Sequence, residues 1–278
     1  MNTLERLFGS ARPLIAMCHL LALPGRPRHD AVGGIDRVTE AAAYDLNVLQ
    51  DAGVDGILFC NEHDLPYSTA VGVEAAAAMA VVIGRLQRET RVPFGVDLLW
   101  DARAALAVAR ATGAAFVREV FTGVYESDMG LFAPDFGELA AYRHAIGADA
   151  VAVFANITPE SSRSVSGRPV ADRARGAVYM GVDVLLISGP AAGSPLEMSD
   201  LVEAKQAVGD FPVLANTGVN HDNVQTMLAV ADGAIVGTSM KEGGSTWNRV
   251  DRDRARRLVE LVAAAREETA AGGKEASR

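Results

Sequence analysis

The chain has 278 residues, 49% hydrophobic and 22% charged, enough apolar material for one sizeable core and too much for a disordered chain. Its 35 acidic residues outnumber 26 basic ones, giving a formal net charge of -9, and no basic stripe is visible, which argues against a nucleic-acid-binding face. Two cysteines, Cys18 and Cys60, are too few for a disulfide framework and read as buried reduced thiols.

The opening residues Met1 to Arg6 lack a charged-then-apolar signal. The apolar run Leu14–Leu23 contains His19 and is shorter than the ~20 residues that span a bilayer, so the expected location is the cytoplasm. Leu14–Cys18 is the first of a series of short apolar runs. Gly56–Cys60, Phe94–Leu98, Ala115–Val120, Ala150–Phe154, Val184–Ile187, Val213–Ala215 and Ala234–Val236 follow, each with the continuous apolar character of a parallel strand covered on both faces. Between them lie Ala-rich amphipathic segments, among them Ile35–Asp51, Glu74–Arg88, Ala102–Ala111 and Asp222–Ala231. Several helices end in glycine before a strand, as in Gly53-Val54-Asp55, Gly113-Ala114, Gly147-Ala148-Asp149 and Gly181-Val182-Asp183. Eight strand–helix alternations predict a single α/β domain over 1–266, a (β/α)₈ TIM barrel, with a polar tail over 267–278 that frays. No Gly-x-Gly-x-x-Gly follows an early strand, so there is no nicotinamide or flavin motif.

In such a barrel the chemistry sits at the C-terminal ends of the strands. The residues there are His19; Asn61 and Glu62, with His63 and Asp64 read as loop residues; Asp97; Arg118 and Glu119; Asn156; Ser188-Gly189; Asn216-Thr217-Gly218; and Gly237-Thr238-Ser239. Two small, Gly-containing loops after the last two strands predict a phosphate site on Asn216, Gly218, Val219, Gly237, Thr238 and Ser239, because glycine admits close approach and free N–H groups bind anions. Glu119, Asp97, His19, Glu62 and Asn156 are the candidate catalytic residues, for acid–base work or to hold a divalent metal. Arg118 and Glu119 are neighbours on a strand, so only one faces the lumen, and Arg118 also reads as an ion-pair partner. No strand carries a lysine, which argues against imine catalysis; Lys241, just past the eighth strand, reads as an anion-binding group.

Met17-Cys18-His19-Leu20 with Leu23-Pro24-Gly25-Arg26-Pro27, Gly53-Val54-Asp55-Gly56-Ile57 with Asn61 and Asp64-Leu65-Pro66, the segment Phe116 to Gly130, and the last two loops resemble the BtpA/SgcQ family over nearly the whole chain. The resemblance is nearer to the SgcQ branch, found with carbohydrate genes, than to the branch tied to photosystem I biogenesis. That second branch shows a Lys-His-Ala phrase at the end of the fifth strand, where this chain has Phe154 to Glu160. It implies a barrel of the ribulose-phosphate-binding type. The expected function is an isomerase, lyase or hydrolase acting on a phosphorylated sugar or nucleoside-like molecule in carbohydrate metabolism. The rival is a non-catalytic assembly factor on a TIM barrel. A metal-dependent hydrolase using His19, Glu62 and Asp97 is a third reading, weakened by the lack of a His-x-His pair. The metal, any other cofactor and the oligomeric state, a homo-oligomer included, stay open.

Overall fold

The computed structural model describes residues 2–276, with side chains described through residue 268. The barrel strands, numbered in chain order with the other strands, are β1 (Leu14–His19), β2 (Gly56–Cys60), β3 (Phe94–Asp97), β4 (Phe116–Glu119), β7 (Ala152–Asn156), β9 (Val184–Ile187), β10 (Val213–Ala215) and β11 (Ala234–Val236). They pair in parallel in that order, and β11 closes onto β1 through the register Leu14↔Ala234, Ile15↔Ile235 and Ala16↔Val236. A closed eight-stranded parallel barrel with helices outside it is a TIM barrel. The fifth run begins and ends two residues later than the sequence suggests, because Ala148–Val151 form a turn before it.

The outer layer consists of α2 (Gly34–Ala52), α3 (Val73–Leu86), α4 (Ala102–Thr112), α5 (Phe136–Ala145), α6 (Val170–Met180), α7 (Met198–Val208), the short α8 (Val224–Leu228) and α9 (Arg252–Ala276). The side chains of 269–276 and all of 277–278, where the tail is expected to fray, lie outside the described residues. Gly53, Gly113 and Gly181 end α2, α4 and α6 in the left-handed conformation, as the glycine-then-strand phrases suggest. Aspartates just before three of the strands have a role of their own. Asp55 accepts the Leu14 N–H at 2.7 Å, Asp183 the Val153 N–H at 2.8 Å and Asp232 the Val213 N–H at 2.9 Å. Each thus ties the start of one strand to the start of its neighbour.

Strand residues alternate between two apolar layers. One faces the helices. The other fills the lumen with Ile15, Leu58, Phe116, Phe154, Leu186, Leu214 and Ile235. The helix α1 (Thr3–Phe8) plugs the N-terminal end of the barrel. Leu4 joins the lumen layer, and Phe8 meets Phe116 edge-on at 5.5 Å while Phe116 stacks on Phe154 at 4.6 Å. With that end sealed by carbon, the opposite end is left for chemistry.

At that opposite end the chain adds a three-stranded antiparallel sheet that the sequence reading does not anticipate. It consists of β5 (Tyr125–Ser127), β6 (Gly130–Phe132) and β8 (Ser162–Ser164), in the order β6-β5-β8. It joins the loop after β4 to the loop after β7. No helix among the described residues is long and apolar enough to cross a membrane.

Candidate active site at the barrel mouth

Alternation along each strand decides what reaches the lumen. His19 shares the face of Ile15, Asp97 that of Gly95, Arg118 that of Phe116, Asn156 that of Phe154, Ser188 that of Leu186, Asn216 that of Leu214 and Gly237 that of Ile235. These residues ring the mouth above the apolar plug. Asp97 is fully buried, and His19, Arg118, Asn156 and Asn216 are each at least nine-tenths buried. Cys60 lies on the same face of β2, and its Sγ is 3.6 Å from Glu62 Oε2.

Of the adjacent pair on β4, Arg118 takes the lumen. Its Nη1 donates to Asp97 Oδ2 at 2.9 Å and its Nη2 to Glu160 Oε1 at 2.6 Å. Burial opposes its charge, but Glu160 and Asp97 more than offset this and hold it protonated. Glu119 points the other way, where it accepts the N–H of Trp100 at 2.9 Å and of Val120 at 3.0 Å. Trp100 has a positive φ of 69°, uncommon for a bulky residue, and the Glu119 carboxyl helps to hold it there. Desolvation and the nearby Asp97 push the Glu119 pKa well above the usual carboxylate range, while burial raises that of Asp97. The pair shares one proton, held on Glu119.

Glu62 and His19 face each other, with Nε2 of the imidazole 3.9 Å from Oε2 of the carboxyl. Burial, with the charges of Asp97 and Glu160, pushes the Glu62 pKa up to about 7. Burial, with the nearby Lys241 ammonium, pushes His19 well below its usual value, so the imidazole is neutral. Asp64 lies in the loop after β2, as read from sequence, and there it is a buried latch. It accepts the Leu23 N–H at 2.7 Å and the Asn61 amide at 2.9 Å, while Asn61 Oδ1 accepts the Leu99 N–H at 2.9 Å.

The loops after β10 and β11 lie together, as expected, but their glycines have further uses. A Cβ on Gly218, whose φ is +84°, would collide with the carbonyl of Ser194 from the loop after β9. A Cβ on Gly237 would lie 3.1 Å from the His19 ring, so this glycine makes room for the imidazole. The N–H groups of Gly218 and Val219 donate to no acceptor among the described residues, and Ser239 Oγ is buried without a partner. Thr238 bonds Thr246 at 2.7 Å, and Asn216 Nδ2 donates to Ser188 at 2.7 Å. Lys241 departs from its anion-binding expectation. It is 1% exposed, and its Nζ sits 2.6 Å from Asp45 of α2, so it pins the last loop to the helix layer.

Glu160 is the residue the sequence reading misses. It lies four positions beyond β7, outside any strand end, yet Arg118, Asn156, Asn216 and Thr217 all donate to it. Among the described residues no group of three or more His, Cys, Asp or Glu side chains is arranged to hold a metal ion. Outside the mouth, a groove of about 560 Å³ runs beside α6, lined by Phe121, Tyr125, Phe136, Arg168, Arg173 and Tyr179, with neighbouring residues.

The fold and the mouth define a closed (β/α)₈ barrel that gathers buried ionisable groups at the C-terminal ends of its strands. The chain belongs to the BtpA family, whose sequence profile matches residues 10–264. It is 43% identical to the sgc region protein SgcQ of Escherichia coli (strain K12), over 94% of this chain and 98% of that one. It is 33% identical to the photosystem I biogenesis protein BtpA of Synechocystis sp. (strain PCC 6803), over 94% and 91%. Among solved structures, thiamine phosphate pyrophosphorylase from Pyrococcus furiosus aligns with a TM-score of 0.57 at 17% identity, covering 92% of this chain and 98% of that one. Phosphoribosyl anthranilate isomerase from Thermus thermophilus aligns at 0.55 and 12%, covering 91% and 98%. These likenesses show the fold.

Proposed function

We propose that the protein is a cytoplasmic enzyme that acts on a phosphorylated sugar or nucleoside-like molecule by moving a proton next to a carbonyl group, as an isomerase or lyase does. One observation carries this reading. Of the five buried side-chain polar atoms without a hydrogen-bond partner among the described residues, four (His19 Nδ1, Asp97 Oδ1, Arg118 Nε and Ser239 Oγ) belong to residues of the mouth and its last loop. Folding alone gives no reason to concentrate such costs at one end of a barrel, whereas a ligand that supplies partners there does.

The phosphate would lie on the N–H groups of Gly218 and Val219 and the loop Gly237-Thr238-Ser239. A carbonyl carbon would then lie beside His19, since even a Cβ on Gly237 would come within 3.1 Å of its ring. Glu62, with its pKa near 7, is suited to take up and return a proton at neutral pH. His19, neutral and buried, would donate to the developing oxyanion. Asp97 and Glu119, which the sequence favours for chemistry, are read here as supports, because one is tied to Arg118 and the other to two backbone N–H groups. A thermal-shift screen with phosphosugars, nucleotides and divalent metal salts tests the reading. A phosphorylated carbonyl compound should raise the melting temperature, and stabilisation by unphosphorylated molecules alone would contradict it.

The 33% identity to a protein named for photosystem I biogenesis favours a second reading, a non-catalytic assembly factor. That reading predicts no turnover or isotope exchange of any small molecule, and it leaves the displaced pKa of Glu62 without a purpose.

A further inference from the structure

Glu160 reaches back across the mouth from the loop after β7, and its carboxylate is gripped from several strand ends. Oε1 accepts from Arg118 Nη2 at 2.6 Å, from Asn216 Nδ2 at 3.2 Å and from Thr217 Oγ1, and Oε2 accepts from Asn156 Nδ2 at 3.0 Å. Arg118, Asn156 and Asn216 are 6%, 1% and 3% exposed, whereas the Glu160 side chain is 22% exposed. The donors are therefore fixed in the barrel, and the acceptor is the part that reaches the rim. One donor is still unused, since Arg118 Nε is buried with no partner among the described residues.

We infer that Arg118, Asn156, Asn216 and Thr217 form a carboxylate subsite, and that Glu160 occupies it as an internal substitute that leaves when substrate binds. A guanidinium with flanking amide and hydroxyl donors suits a planar, two-oxygen acceptor. Charge then requires an exchange. Arg118 already faces Asp97 and Glu160, so adding a substrate anion with Glu160 in place would set three negative charges around one positive charge in a buried site. Swapping one carboxylate for another leaves the balance unchanged. Resting on the phosphorylated-substrate reading above, the inference narrows the substrate to a small phosphorylated sugar acid or keto acid, with phosphate at the last two loops and carboxylate on Arg118.

Calorimetric titration of wild type, Glu160→Ala and Glu160→Gln with malonate, glycerol 3-phosphate and 3-phosphoglycerate tests this. Removing the internal carboxylate should tighten malonate and 3-phosphoglycerate about tenfold or more in Glu160→Ala, with a smaller gain in Glu160→Gln, and leave glycerol 3-phosphate within about twofold. Malonate affinity unchanged in a folded variant would overturn the subsite, and so would a failure of both variants to fold, since Glu160 would then be a fixed strut. If malonate tightens while neither phosphate ester binds any form, the subsite stands and the phosphate assignment fails.

Discussion

Glu62 and His19 show how far one position depends on its surroundings. A carboxyl raised to about 7 by burial and by Asp97 and Glu160 binds its proton more tightly in the folded than in the unfolded chain. Its contribution therefore favours folding less as pH rises from about 4.5 to about 7, by on the order of 3 kcal/mol in total. Glu62→Gln should remove that slope and raise the melting temperature at pH 8, which thermal denaturation against pH will check. As a base Glu62 works ionised, so kcat/KM should fall about tenfold per unit below pH 7 and flatten above it. Glu119 supplies a second test. Glu119→Ala leaves the Trp100 and Val120 N–H groups without their acceptor and should cost about 1–3 kcal/mol, while Glu119→Gln, which stays neutral and keeps one acceptor oxygen, should cost less. Equal losses in chemical denaturation would contradict the shared proton. Lys241 shows why sequence position misleads about charge. It follows the last strand as an anion-binding group would, yet Asp45, nearly two hundred residues earlier in the chain, claims it. Lys241→Met should cost about 3–5 kcal/mol by leaving Asp45 buried and unpaired, and Lys241→Met with Asp45→Leu should recover much of it.

The elements were legible where periodicity is strong. All eight barrel strands coincide with or overlap the apolar runs, the fifth displaced by two residues, because a strand covered on both faces must be apolar along its whole length. Asp55 and Asp183, after helix-ending glycines, were visible as a pattern, but their bonds to neighbouring strands depend on the barrel closing. The sheet of β5, β6 and β8 was not legible. Its strands are three residues each, two come from one loop and the third from another, and no local pattern links Tyr125 to Ser164. Glu160 was missed for the same reason, since it belongs to a loop that folds back over the lumen. The helix α1 is a plug and not part of the mouth, which separates stability from activity. Leu4→Ala should cost about 2–5 kcal/mol in denaturant unfolding and leave turnover per folded molecule unchanged.

Across the whole molecule, one end of the barrel is closed by apolar side chains and the other holds buried charges with unused hydrogen-bonding atoms. That polarity was readable from the residues following each strand. Which strand-end group faces in was not, because the choice between Arg118 and Glu119 needs the register of β4 against β7. The phosphate half of the account is tested at Thr238, a half-buried residue opening the 3₁₀ turn Thr238–Met240. Thr238→Asp should weaken glycerol 3-phosphate at least about tenfold by repulsion, with unchanged affinity contradicting the site. Gly237→Asp would be a poorer probe, because its side chain would also strike His19. The central claim, proton transfer at this mouth, is tested most directly by incubating the protein in D₂O with phosphorylated carbonyl compounds that stabilise it and following deuterium uptake by NMR. The account predicts incorporation next to the carbonyl by wild type and at least about a hundredfold slower incorporation by folded Glu62→Gln. Incorporation by that variant at the wild-type rate, or none by wild type with any stabilising compound, would contradict it.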